Sequence, residues 1–180
     1  MSEDSTPTHV QLVYGRNGRT SFALPDPLNP GNPFAKSSAF THLDGRKAWA
    51  AVWAPLPAPF DGDYRLPGID FDHWPEEYLQ VGGRRGRMTF EARRLIDGSF
   101  RQLAIGRAAR GSWKGVTQDP GARPAEPEEE VSIGQHSVWV FPHEVWTSAQ
   151  ITPVFRHWFE HGELPGGLTI RDIGLEYGQN

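Results

Sequence analysis

The sharpest chemical string in this chain is His157-Trp158-Phe159-Glu160-His161, which fits the inverted zincin pattern H-x-x-E-H. On a helix, positions i and i+4 share a face, so both imidazoles could reach one zinc. Glu160 would then be the general base. Three features oppose this. Trp158 belongs to the apolar stripe of the same segment, which turns the histidines toward solvent. Only 19 residues follow His161, leaving Glu163 and Glu176 as third ligands. No second domain exists to wall a cleft. The string therefore reads as the polar face of a terminal helix, with a small metal-dependent hydrolase as the alternative.

A second concentration of chemistry lies between Pro55 and Glu77. Asp61, Asp63, Asp70, Asp72, Glu76 and Glu77 meet a single Arg65, a local net charge of −5. Tyr64, Phe71 and Trp74 are interleaved with them. Paired Asp-x-Asp could hold a hard cation through oxygen, but the spacing matches no calcium loop. Acids beside rigid aromatics suit protein recognition better. The charges steer a basic partner and the rings anchor it. Asp61, Asp63, Tyr64, Asp70, Phe71, Asp72, Trp74, Glu76 and Glu77 are thus the candidate partner-binding residues. The bland alternative is a loop whose rings cover a sheet and whose acids are solvated.

The third feature is basic. Arg84, Arg85, Arg87, Arg93, Arg94, Arg101, Arg107, Arg110 and Lys114 face only Glu91 and Asp97 within 84–114, a local net of +7. Such a hairpin could meet a polyanion by counterion release. The glycines of Gly82 to Arg87 could let backbone approach a phosphate, but no G-K-[ST] follows. The whole chain is acidic, at −4, which disfavours nucleic acid. No G-x-S-x-G supports a serine nucleophile.

These segments must be positioned by a scaffold that composition constrains. With 180 residues, there is one domain's worth of chain. Twenty glycines and 16 prolines exceed the usual share of about 12%, which favours a turn-rich sheet over a helix bundle. The absence of cysteine excludes disulfides, a thiol nucleophile and cysteine-ligated metal. The polar start MSEDSTPTH is no secretory signal, and no run approaches the length of a membrane span. A cytoplasmic protein without a membrane partner is expected.

Along the chain, 1–8 reads as a frayed tail, followed by one domain over 9–177. His9–Tyr14 and Thr20–Leu24 flank Asn17-Gly18, whose residues tolerate the positive φ of a tight turn. A second hairpin is expected around Asp44-Gly45, from Ala39–Leu43 to Lys47–Ala54, the latter apolar enough for a central strand. Glu77–Val81 is a strand. Arg87–Leu95 and Ser99–Arg107 flank Asp97-Gly98, with Met88, Phe90 and Ala92 alternating against Thr89, Glu91 and Arg93. Val131–Ile133 and Ser137–Phe141 give a further short pair. Ile151, Val154, Phe155, Trp158 and Phe159 form one helical stripe. Its start is open between a Thr147/Gln150 capping box and a Thr152-Pro153 cap; its stop is Gly162. Leu168–Leu175 closes as a strand. Long loops are expected at 25–37, 55–75 and 108–130. The expected class is α+β: a mostly antiparallel twisted sheet of about six to eight strands with one C-terminal helix packed on it.

Two stretches, Pro75–Arg107 and Val138–Leu175, run strand, hairpin, strand, helix, Gly162-Glu163-Leu164-Pro165 step and final strand. This layout, over about 70 residues, resembles small actinobacterial immunity proteins of polymorphic toxin systems. The Pro-rich 25–34 stretch, the acidic 55–77 loop and the 108–130 insertion are extra relative to it. The resemblance implies a cognate protein toxin as partner, neutralised by occlusion of its active site. No cofactor, metal or catalytic residue is expected. It carries no site residues over.

Overall fold

A computed structural model describes residues 9–24, 40, 42–56, 76–107 and 126–174. Nine strands and one helix are present among them. β1 (His9–Gly15) and β2 (Gly18–Leu24) form the first hairpin, with Gly15 opposite Gly18. Its turn residues are Arg16 and Asn17, and only Gly18 takes a positive φ, 88°. Asn17 therefore does not need the left-handed region that the Asn-Gly pair offered.

The hairpin expected around Asp44-Gly45 does not form. Of the expected first arm, Phe40 and His42 are turn rather than strand and Leu43 N donates to Phe40 O, while Ala39 and Thr41 lie outside the described residues. One oxygen of Asp44 accepts the backbone N–H groups of Arg46, Lys47 and Ala48 at 2.6 to 3.2 Å. That carboxylate folds the chain back on itself and launches β3 (Ala48–Pro55). β3 then pairs with β1 on one side and β4 (Tyr78–Arg84) on the other.

β4 turns at Arg85-Gly86 into β5 (Arg87–Ile96). β5 turns at Asp97-Gly98, with φ of 50° and 76°, into β6 (Ser99–Gly106). Both residues supply the positive φ that a two-residue hairpin turn wants. β7 (Glu129–Ile133) and β8 (His136–Val140) form a separate two-stranded sheet. Glu129 and Glu130 thus belong to a strand, which corrects the end of the loop expected at 108–130. Their charges hide it in the sequence, but Arg87 pairs with the Glu129 carboxylate and also donates to the Glu130 carbonyl.

A 3-10 turn (Pro142–Glu144) leads to α1 (Ser148–His161), and β9 (Thr169–Asp172) ends the described fold. Thr147 caps α1 through a capping box with Gln150, so the helix starts there and not at Thr152. The Thr152 hydroxyl donates to Ser148 O instead, and Pro153 sits inside the helix. Gly162, at φ 74°, stops it.

The large sheet is antiparallel throughout and runs β2-β1-β3-β4-β5-β6-β9. The α+β class and the single C-terminal helix stand as expected, and β3 is an inner strand. α1 buries Ile151, Val154, Phe155, Trp158 and Phe159 with Ala51, Trp53, Leu79, Val81, Met88, Phe90 and Ala92. Phe155 is the hub: its ring centre lies 4.7 Å from Trp53, 5.0 Å from Phe40 and 5.1 Å from Phe90. The opposite face has a smaller apolar cluster of Val10, Leu12, Val52, Ala54 and Leu56.

β5 and β6 pair from Ile96/Ser99 only as far as Glu91/Ala104. Beyond that, the segment 142–146 wedges between them. Trp146 exchanges both backbone bonds with Met88, and Arg107 N donates to His143 O. The Trp146 indole donates to Ile105 O at 2.8 Å. The wedge delivers Glu144 to the sheet. No helix among the described residues is long and apolar enough to cross a membrane.

Candidate functional site

Across the face away from α1, register aligns Gln80, Glu91, Ala104 and Arg171 in one row. The next row is Tyr78, Arg93 and Gln102. Gln80 and Gln102 both donate to one oxygen of Glu91, each at 2.8 Å. Tyr78 OH donates to the Gln102 carbonyl oxygen at 3.2 Å, which orients that amide. Ala104 stands between Glu91 and Arg171 in the first row. Arg171 there holds Glu144 through Nε and Nη2, both at 2.8 Å. Phe141 N completes the Glu144 carboxylate at 3.0 Å.

The two glutamates are driven apart electrostatically. Burial pushes Glu91 above its ordinary value; its two amide donors only partly offset this, and Glu144 adds to the rise. Burial also opposes ionisation of Glu144, but the Arg171 and Phe141 hydrogen bonds outweigh it and hold that carboxyl low. Opposed shifts in neighbouring carboxylates are an acid–base signature. Here both are nearly closed off, at 7% and 2% exposure. Glu91 sits behind its glutamines and Glu144 behind its arginine. The row stiffens the sheet face; it does not present a reacting group.

What that face presents lies one step further along. Leu95 and Phe100 are cross-strand partners near the β5–β6 turn, 53% and 39% exposed. The Arg93 guanidinium lies 5.0 Å over the Phe100 ring. Beside them is an open cleft of about 600 Å³ lined by Phe100, Arg101, Arg171, Asp172 and Ile173. An Arg101–Asp172 ion pair of 3.2 Å stands at its rim. Glu77 accepts a hydrogen bond from Leu95 N at 2.8 Å. The C-terminal end of the acidic stretch is thereby fastened to the exposed hairpin end.

No family model, curated protein or solved structure matches this chain.

Of the candidate partner-binding residues, Glu76 is exposed and Glu77 makes the bond just described. Asp61, Asp63, Tyr64, Asp70, Phe71, Asp72 and Trp74 lie outside the described residues. On α1, the His157 and His161 rings stack with centres 4.2 Å apart. One ring nitrogen of His161, Nδ1, lies 2.9 Å from His157 O, in hydrogen-bond reach. Among the described residues, no three His, Asp or Glu side chains gather as a metal would require. The arginines of 84–114 are largely turned to internal use. Arg87 binds the β7 strand, Arg94 reaches Gly162 O, Arg101 pairs with Asp172 and Arg107 donates to Pro142 O. Arg110 and Lys114 lie outside the described residues.

The Glu91–Glu144–Arg171 constellation was not anticipated from the sequence. Glu91 registers there only as a lone acid in a basic hairpin. The signal that could have marked it is Gln80 and Gln102, which flank it on both neighbouring strands once register is known.

Proposed function

We propose that this chain is a protein-binding module that works as an immunity protein, neutralising a cognate toxin by occluding its active site. One observation carries the reading. Leu95 and Phe100 form an exposed apolar hairpin end to which Glu77 ties the acidic, aromatic 55–77 stretch. An apolar anchor on a chain whose 55–77 stretch is rich in acids suits a partner whose cleft is basic and rimmed by apolar groups. The rigid sheet beneath it limits the ordering cost of association. The sequence layout that resembles small immunity proteins supports the finer form, a toxin inhibitor.

The test begins with the full chain as bait in its native cell extract, followed by binding measurements with the purified partner. Phe100→Ala and Leu95→Asp should each weaken that complex by about tenfold or more while the chain stays folded. The triple variant Asp70→Ala, Asp72→Ala, Trp74→Ala should also lose neutralisation of the partner's toxicity. Undiminished binding in all of these variants sinks the proposed interface. A bound partner with no toxic activity retains the module and removes the inhibitor.

A further inference from the structure

β7 and β8 are hydrogen-bonded to each other and to no other strand among the described residues. On their inner face Val131 and Val140 are buried, and Gly82 and Gly83 of β4 leave the room that Ile133 and Val131 fill; Glu129 and His136 lie at the two ends of that face. Their outer face carries Glu130 opposite Trp139 and Ser132 opposite Ser137. Trp139 is 59% exposed.

The hydrogen-bonding phase of the hairpin follows from its turn. Gly134-Gln135 is a two-residue loop with Gly134 at φ 63°, joining Ile133 to His136. Such a loop closes on a hydrogen-bonded pair. Bonded and non-bonded pairs then alternate, so Val131/Val138 and Glu129/Val140 are bonded too. The N–H and C=O groups of Ser137 and Trp139 therefore point away from β7, along the outer edge of β8.

Sheet edges are ordinarily blunted by charge, proline or a bulge. His136–Val140 contains no Lys, Arg, Asp, Glu or Pro. β9, an edge of the large sheet, carries Arg171 and Asp172. The β8 edge is also complementary to itself. A two-fold antiparallel arrangement centred on Val138 sets Ser137 of each copy opposite Trp139 of the other. Both are residues with outward backbone groups, so two bonded pairs form with four hydrogen bonds. The bulky indole lies across a small serine, and no like charges meet within the paired strands.

We infer that the outer edge of β8 is a pairing surface for a second copy of this chain, joined antiparallel about Val138 into a continuous four-stranded sheet. The probe is the purified full-length chain, followed by light-scattering mass against concentration and by backbone amide exchange. The dimer fraction rises with concentration, and the Ser137 and Trp139 amides slow as it does. Ser137→Pro removes an outward donor at a position where proline leaves the β7–β8 bonds intact. It should weaken association by roughly tenfold or more. Trp139→Lys places a charge on the edge and should do the same. A wild-type chain that stays monomeric at every accessible concentration overturns the inference. So does a dimer in which those two amides exchange unchanged, or one that both folded variants retain. Pairing of this edge only with a different protein overturns it as well.

Discussion

Glu144 and Glu91 occupy the same face of one sheet and should respond to substitution in opposite ways. Glu144 is 2% exposed and meets Arg171 through two hydrogen bonds, so Glu144→Ala leaves a guanidinium facing an empty site. Breaking such a pair costs about 3 kcal/mol, and the wedge at Phe141 loses its tie as well. Burial raises the Glu91 carboxyl above its ordinary value, so its contribution to stability is present at low pH and lost as pH rises through the folded value. Glu91→Gln removes the charge and keeps an oxygen for both glutamine donors. It should leave stability unchanged in acid and raise it at neutral pH. Urea unfolding at two pH values checks both, and a destabilised Glu91→Gln at neutral pH would show that the ionised form is favoured. Neither residue was legible as a pair in the sequence. Arg171 is 27 positions from Glu144, and only the sheet register and the wedge bring them together.

Hairpins were legible where the turn residues themselves fix the backbone. Asp97-Gly98 supplies two positive φ angles, and β5 and β6 follow from it. Asp44-Gly45 looked alike but acts differently, because the Asp44 carboxylate captures three amides of its own loop. The Arg85-Gly86 turn carried no such signal and went unread as a hairpin. In α1 the apolar stripe was clear, while the start depended on which threonine cap prevailed. Starting at Thr147 lets Ile151 join Phe155 in the core, although it places Pro153 within the helix. Proline there denies the Ala149 carbonyl its helical donor. Ala149 is exposed, so water can serve that carbonyl. Pro153→Ala should therefore stabilise the fold by about 1–2 kcal/mol, less than the full helix penalty because proline also restricts the unfolded chain. Thermal unfolding of the variant measures it; a lower midpoint would mean that the Pro153 ring contributes contacts worth more than the missing bond.

At the scale of the whole molecule, alternation and turn chemistry foretold an antiparallel sheet with one helix on it, but not the strand order. β3 reaches across to β1 because its apolar residues serve both faces: Trp53 and Ala51 under the helix, Val52 and Ala54 on the other side. His9, at the start of β1, packs its ring 4.5 Å from Phe159 and 5.3 Å from Trp158. Burial lowers it from 6.5 to about 4. Its folded value lies below its unfolded one, so the unfolded chain takes up the proton first. Stability then falls from pH 6.5 down to about 4 and is flat below. At about 1.4 kcal/mol per unit the full shift is about 3 kcal/mol, and partial solvent access reduces it to about 2. Glu144, held low, adds a loss that begins below its ordinary 4.5 and continues as pH falls through its folded value. Glu91 runs the other way, gaining as it is protonated. The two losses overlap only between about 4.5 and 4, so one variant can isolate the first over most of its window. His9→Phe keeps a ring against Trp158 and Phe159 and cannot be protonated. It should flatten the stability profile between pH 6.5 and about 4 while leaving the Glu144 loss at lower pH in place. Parallel profiles for the variant and the parent across that window would place the acid sensitivity elsewhere than at the β1–α1 contact.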